Sequence, residues 1–328
     1  MTAIGGSTSG DRVDGTSRRV LVTGGAGFLG SHLCDALVAR GDTVVCIDDL
    51  STGLESNVAH LIPTGRFELL VADVSKGIDV PGPIDLVLHL ASAASPPDYL
   101  ARPLETLAVG SEGTRAAIEV AVDMSARFVL ASTSEVYGDP LVHPQVEAYW
   151  GNVNPVGPRS VYDEAKRFSE ALTMAWHRTH GANVGIARIF NTYGPRLRPG
   201  DGRVVSNFLD QALGGRPLTV YGDGSQTRSL CYVDDEVTGI LALARSSITG
   251  PVNIGNPTEI TVLDLANRIL ELTGSSSTVE FAPLPVDDPT RRCPDISLAR
   301  NELDWQPAIS LDDGLSRCIE ALASGGRH

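Results

Sequence analysis

The amino-acid sequence predicts an α/β protein, a doubly wound parallel β-sheet with a smaller C-terminal lobe. Three observations predict it. Short apolar runs alternate with segments of helical period over the first 190 residues. Several of those runs are continuously apolar, as strands covered on both faces are, rather than alternating like half-exposed ones. After Asn191 the texture changes, and Pro and Gly cut the chain into short pieces such as Tyr193-Gly-Pro-Arg196, Gly214-Gly-Arg-Pro217 and Gly222-Asp-Gly224.

In chain order, strands are expected at residues 19–23, 43–47, 67–72, 84–90, 127–132 and 183–190, with helices at 29–40, 103–122 and 161–180 between them. Strand–helix–strand repetition implies right-handed crossovers and a parallel sheet. Later helices are expected at 204–213, 234–245 and 262–273. The chain then divides into a Gly/Ser/Thr-rich flexible leader at 1–17, a sheet domain at 18–190 and a ligand-binding lobe drawn mainly from 191–328. The stretch of about 229–255 is expected to return to the sheet domain. Loops this dense beside a rigid sheet are where ligand contacts gather.

Composition narrows the function classes. The 328 residues are 42% hydrophobic and 20% charged, enough to bury a core. A formal charge of −14 argues against a nucleic-acid partner, because phosphate backbones are held by Lys and Arg clusters. The five cysteines (34, 46, 231, 293 and 318) are scattered and lack CxxC spacing, which excludes a disulfide framework and a zinc ribbon and fits a reducing cytosol. No apolar run approaches the roughly 18 residues of a membrane span, and the N-terminus lacks the apolar centre of a signal peptide. A soluble, cytoplasmic protein is expected. No His/Asp/Glu group has metal-ligand spacing, so no metal is expected. His89 reads as a packed strand histidine, and Trp150, Trp176 and Trp305 as structural.

Chemistry begins at Thr23-Gly-Gly-Ala-Gly-Phe-Leu-Gly30, which follows the first strand and opens the first helix. Gly24 permits the turn, Gly27 lets backbone N–H groups approach a pyrophosphate, and Gly30 allows close strand–helix packing. The strand before, the helix after and an acid at the next strand end favour the phosphate turn of a Rossmann-type sheet over a plain tight turn. Asp48 ends the second strand, where a carboxylate accepts both ribose hydroxyls of NAD and repels the extra phosphate of NADP. NAD is therefore the expected cofactor. Asp73, ending the third strand, is placed either to meet the adenine or simply to cap the strand end. Phe28, Leu29, Val74, Leu90 and Ala91 are assigned to the same cofactor.

Tyr162 and Lys166 lie four apart, on one face of a single helix. Beside a nicotinamide this pair suggests an acid–base tyrosine. Lowering a phenol from about 10 to about 7 takes roughly 4 kcal/mol of charge stabilisation, for which Lys166 and the oxidised ring are the available cations. Thr133-Ser134-Glu135 closes the fifth strand at its carboxyl end, where such sheets bind ligands. These residues read either as a sugar-binding and proton-moving group or as turn and cap residues.

Together the glycine turn, Tyr162-x-x-x-Lys166 and Arg188-Ile-Phe-Asn-Thr-Tyr-Gly-Pro-Arg196 resemble the extended short-chain dehydrogenases/reductases that act on nucleotide sugars. Within that group, Ala131-Ser-Thr-Ser-Glu-Val-Tyr-Gly-Asp-Pro140 is similar to the UDP-glucuronic acid decarboxylases. So are Ser95-Pro-Pro-Asp-Tyr99, Gly224-Ser-Gln-Thr-Arg228, and Asp287-Asp-Pro289 with Arg292-Cys-Pro-Asp-Ile296. The resemblance implies that Tyr162 removes the C4 hydroxyl proton while hydride passes to NAD and Thr133 holds the same oxygen. It implies that Ser134, Glu135 and Arg292 orient the carboxylate and manage protonation at C5. Tyr99, Asn191, Arg196, Asn207, Tyr221 and Arg228 would bind the UDP-sugar, and a homodimer would form through the helices near 103–122 and 161–180. Gly110 departs from the family's usual Asn, and Cys293, taken as a spectator thiol, from a basic residue. The same ketone also serves 4,6-dehydratases and 4-epimerases, and Arg292 is the discriminator because only a carboxylated substrate needs a cation there. A disabled NAD-binding regulator is the third reading, against which the intact Tyr162 and Lys166 argue.

Overall fold

A computed structural model describes residues 17–198, 200–284 and 291–324. All but the last residue of the expected leader, and the Asp287-Asp-Pro289 string, lie outside the described residues. Seven strands form one sheet: β1 (Arg19–Thr23), β2 (Thr43–Asp48), β3 (Phe67–Val71), β4 (Leu86–His89), β5 (Arg127–Thr133), β6 (Val184–Ile189) and β7 (Pro251–Ile254). Their spatial order is β7-β6-β5-β4-β1-β2-β3, and every pairing is parallel. The six expected strands are present within two residues at each end, and β7 is supplied by the returning stretch.

Alternate residues of each strand feed two cores, as a sheet covered on both faces requires. Val20, Val22, Val44, Cys46, Leu86 and Leu88 pack into the layer containing the helices Phe28–Ala39 and Val233–Arg245. Leu21, Val45, Val87 and Leu130 face the opposite layer, with Ala117, Ile118 and Ala121 of the Thr114–Asp123 helix. The central strand β5 is buried along its whole length, whereas the edge strand β3 leaves Val71 63% exposed. Strand order reverses at β1, which pairs with β2 on one side and β4 on the other. Loops leaving the carboxyl ends of β1 and β4 therefore part to opposite sides, and the crevice between them positions the site.

The single helix expected over 103–122 is interrupted. Helix Pro103–Ala108 runs into one widened π-turn, Val109–Gly113, before Thr114–Asp123 resumes. The cause is a close crossing with the Ser160–His180 helix. A Cβ on Gly110 would lie 2.7 Å from the Ala165 methyl and 3.1 Å from its Cα, and the Ser169 hydroxyl donates to the freed Gly110 carbonyl at 2.7 Å. Gly110→Asn should therefore part the helices and cost about 1–3 kcal/mol, as overpacking does. Urea unfolding with unchanged stability would show the crossing to be looser than this.

The C-terminal segments add the helices Val204–Leu213, Val262–Thr273 and Leu311–Ala323. Two short strand pairs stiffen the lobe: Leu218–Tyr221 with Val279–Ala282, and Thr227–Ser229 with Glu259–Thr261. This lobe forms the far wall of the crevice.

Candidate active site

A cavity of about 600 Å³ runs from the glycine turn to the C-terminal lobe, within the range typical of small-molecule sites. At the turn, Gly24 has φ +70°, and a Cβ there would lie 2.7 Å from the Ala91 nitrogen. Only glycine lets the ends of β1 and β4 pass so closely. A Cβ on Gly30 would fall 2.1 Å from the Gly24 carbonyl oxygen, so the helix is seated directly on the turn. That helix starts after Gly27 with no side-chain cap, leaving its first N–H groups directed at the cavity as an anion site. Asp48 accepts from the N–H groups of Ala26 and Leu50, each at 2.9 Å. Burial raises its pKa, and these backbone donors oppose the shift.

Asp73 accepts from the Ser75 N–H at 2.8 Å and its hydroxyl at 2.7 Å, so it caps the turn after β3 while also lining the cavity. Val74, Phe28, Leu29, Leu90 and Ala91 line the same end. His89 lies outside it, bonded to the hydroxyls of Thr23 (2.7 Å) and Thr114 (3.2 Å). Burial pushes its pKa down to about 3, so it is a neutral packed histidine.

Midway along the cavity, Tyr162 stacks on Tyr99 with ring centroids 5.2 Å apart and planes 7° from parallel, and the Thr133 hydroxyl acts to lower its pKa. The Lys166 ammonium lies 5.9 Å from the Tyr162 ring centroid and donates to the Ala131 carbonyl at 2.9 Å. Burial, followed by the charge of Glu135, pushes Tyr162 up to about 12. This is opposite to the shift a general base needs. Burial also pulls Lys166 down to about 8. The phenol is therefore a base only when further positive charge stands beside it.

Glu135 is gripped from two sides, by Arg159 at 2.8 Å and Arg292 at 2.6 Å. Burial alone would raise its pKa, but the two guanidiniums outweigh it and hold it at about 2. Arg292 is 2% exposed and also donates to the Ser134 hydroxyl at 3.2 Å and the Gly138 carbonyl at 3.1 Å. It does not line the cavity. Its contacts with Ser134 and Glu135, which do line the cavity, place Arg292 directly behind them. Every other site residue singled out in the sequence borders this one cavity, including Asn191, Arg196, Asn207, Tyr221 and Arg228 on the lobe side. Arg196 holds a left-handed φ of 68°, and its Nη1 is buried without a hydrogen-bond partner among the described residues. Its other terminal nitrogen pairs with Asp35 at 2.7 Å.

A model of the NAD dependent epimerase/dehydratase family matches residues 20–255. The chain belongs to this family. Among relatives, UDP-glucuronic acid decarboxylase 1 of Arabidopsis thaliana is 52% identical over 301 residues, covering 92% of this chain and 69% of the plant protein. UDP-glucuronic acid decarboxylase 1 of Danio rerio is 50% identical over 311 residues, covering 95% and 74%. Among solved structures, UDP-glucose 4-epimerase from Thermotoga maritima with UDP-glucose superposes with a TM-score of 0.85 at 27% identity, covering 93% of this chain and 99% of that one. The dTDP-glucose 4,6-dehydratase of Streptomyces venezuelae, with NAD and TYD bound, gives 0.84 at 29% identity, covering 93% and 97%.

Two residues of this epimerase/dehydratase chain escaped the sequence reading. Arg159 lines the cavity and places a cation at the N-cap of the Ser160–His180 helix, against the helix dipole. That misplaced charge was the available signal. Asp163 is buried with Oδ1 unpartnered among the described residues. Burial, then Glu135, raises it to about 7. The fold of this chain also gathers His143, Glu259 and Cys293, which no local spacing announces.

Proposed function

We propose that this chain binds NAD and converts UDP-glucuronate to UDP-xylose and carbon dioxide. The supporting observation is the pairing of Tyr162–Lys166 with the Arg159–Glu135–Arg292 cluster in and behind one cavity, in a chain half identical to UDP-glucuronic acid decarboxylases. The epimerase and dehydratase are relatives in structure at under 30% identity.

The cradle fits NAD. Gly24 and Gly30 leave no room for side chains, the uncapped helix N-terminus suits the pyrophosphate, and Asp48 suits an unphosphorylated ribose. Bound NAD would supply a positive charge and a reversible hydride acceptor, so that C4 is oxidised before carbon dioxide leaves and is returned to the alcohol level afterwards. Tyr162 takes the proton of the C4 hydroxyl, Thr133 holds that oxygen, and Lys166 stabilises the phenolate. With C4 at the ketone level the C6 carboxylate is β to a carbonyl, and the electrons of the breaking C5–C6 bond pass into an enolate. Arg159 is the guanidinium on the cavity wall for that carboxylate. Arg292 acts behind it, fixing Glu135 and Ser134 for protonation at C5. Arg196 and Arg228 suit the diphosphate, since a guanidinium bonds phosphate oxygens in pairs, while Tyr99, Asn191, Asn207 and Tyr221 complete the nucleotide-sugar wall. Residues 18–190 with 229–255 then form the NAD domain, and the rest of 191–328 the substrate lobe.

The decisive assay incubates purified protein with UDP-glucuronate. Carbon dioxide and UDP-xylose should form without net NADH; turnover of UDP-glucose or a dTDP-sugar alone would reject the assignment.

A homodimer through the Pro103–Ala108 and Ser160–His180 helices is supported by Leu104, Leu107 and Phe168, which are 75%, 39% and 51% exposed on adjoining surfaces. Leu104→Glu with Phe168→Glu should halve the mass seen by light scattering, and an unchanged mass would remove this face as the interface. No helix among the described residues is long and apolar enough to cross a membrane. Five buried free thiols suit a reducing cytoplasm.

A further inference from the structure

Outside the catalytic cavity, three segments bring an imidazole, a carboxylate and a thiol together. The ligand-capable atoms of His143, Glu259 and Cys293 all lie within 4.8 Å of one another. None of the three lines the cavity, so the proposed reaction leaves them unexplained.

Each is held in place by its own backbone surroundings. Gln145, two residues after His143, exchanges bonds with the Cys293 segment. Its N–H donates to the Cys293 carbonyl at 2.8 Å, and its side-chain oxygen accepts the Cys293 N–H at 2.8 Å. Glu259 begins the strand paired with Thr227–Ser229. One of its oxygens accepts from the Thr227 hydroxyl at 2.5 Å, and the other faces the His143 Nε2 at 2.9 Å. The Cys293 thiol, on a residue 3% exposed, donates to the carbonyls of Pro257 (3.3 Å) and Pro294 (4.0 Å). With Nε2 directed at Glu259, the other ring nitrogen of His143, Nδ1, is buried with no hydrogen-bond partner among the described residues. Native proteins rarely leave such an atom unsatisfied.

We propose that His143, Glu259 and Cys293 form a binding site for a divalent transition-metal ion of the zinc class. One imidazole, one carboxylate and one thiolate are zinc ligands, and the thiolate excludes magnesium and calcium. Metal–ligand lengths of about 2.0–2.3 Å put tetrahedral ligand atoms about 3.5 Å apart, so the widest spacing closes by roughly 1 Å while the His143–Glu259 contact at 2.9 Å opens slightly, both within reach of side-chain rotation. Binding releases the Cys293 proton to solvent and leaves a thiolate on the metal. The ion would pin the segment carrying Arg292 to the strand pair carrying Arg228, acting as a clip beside the site rather than as a participant in the reaction.

Titration of the full chain with cobalt(II) tests this. We expect a sulfur-to-cobalt charge-transfer band that saturates at one equivalent, is displaced by zinc, and is absent from Cys293→Ser. His143→Gln and Glu259→Gln should weaken cobalt binding by at least about tenfold, the loss seen even for an outer partner of a metal ligand. Zinc should raise the thermal midpoint of the unsubstituted chain and not that of Cys293→Ser. A band that persists in Cys293→Ser, or no sulfur band at saturating cobalt, overturns the proposal. Should Cys293→Ser lose its native circular dichroism, His143→Gln decides, and unchanged cobalt affinity there overturns it equally.

Discussion

Replacing Tyr162 by phenylalanine should lower turnover of UDP-glucuronate by about 10³-fold, the middle of the range for removal of a general acid–base group. The phenyl ring preserves the volume and the parallel stack on Tyr99 at 5.2 Å, so NAD and UDP binding should be unaffected. The hydroxyl is what disappears, and with it the acceptor proposed for the C4 proton. In the chain alone Tyr162 stands at about 12, raised first by burial and then by Glu135. Its titration, followed by phenolate absorbance, should therefore move down when oxidised NAD is added. Single-turnover measurement of transient reduced nicotinamide is the direct check. Near-normal formation of that transient in Tyr162→Phe would show that another group takes the proton.

Arg292→Met should have the second large effect, on folding as well as on rate. Removing one partner of a buried ion pair typically costs about 3–5 kcal/mol, because the remaining charge stays desolvated. Glu135 keeps Arg159, which limits the loss but leaves its inner oxygen without the 2.6 Å contact. The pH dependence has a definite sign. Glu135 is depressed from 4.5 to about 2, so its contribution is fully present above about pH 4.5 and disappears as pH falls toward 2. In Arg292→Met the carboxyl should titrate higher, and acid unfolding should begin at higher pH. Chemical denaturation between about pH 3 and 7 measures this. The double variant Glu135→Gln/Arg292→Met should regain part of the stability without regaining activity. If Arg292→Met unfolds at the same acid pH as the unsubstituted chain, the two guanidiniums do not share Glu135 as the structure depicts.

Local sequence information carried much of the architecture. Continuous apolar runs at Arg19–Thr23 and Arg127–Thr133 specify doubly covered strands, and helices such as Val204–Leu213 were readable to the residue. The interruption at Gly110 was not readable, because it arises from the approach of Ala165 on another helix. That the glycine turn and Asp48 border one cavity was legible because the turn, the first helix and Asp48 lie within 25 residues, from Gly24 to Asp48, on one strand–helix–strand unit.

By itself, then, the sequence determined the parallel sheet, the phosphate turn and the Tyr162–Lys166 face, since each depends on contacts between near neighbours in the chain. Only the tertiary structure decided that Arg292 stands behind Glu135 rather than in the cavity, that Arg159 takes the wall position, and that His143, Glu259 and Cys293 meet. Those arrangements join segments more than a hundred residues apart, or turn on which of two guanidiniums gains access to one carboxylate. Burial and packing select among such options, and beyond the charge of Arg159 at a helix start no local pattern encodes them.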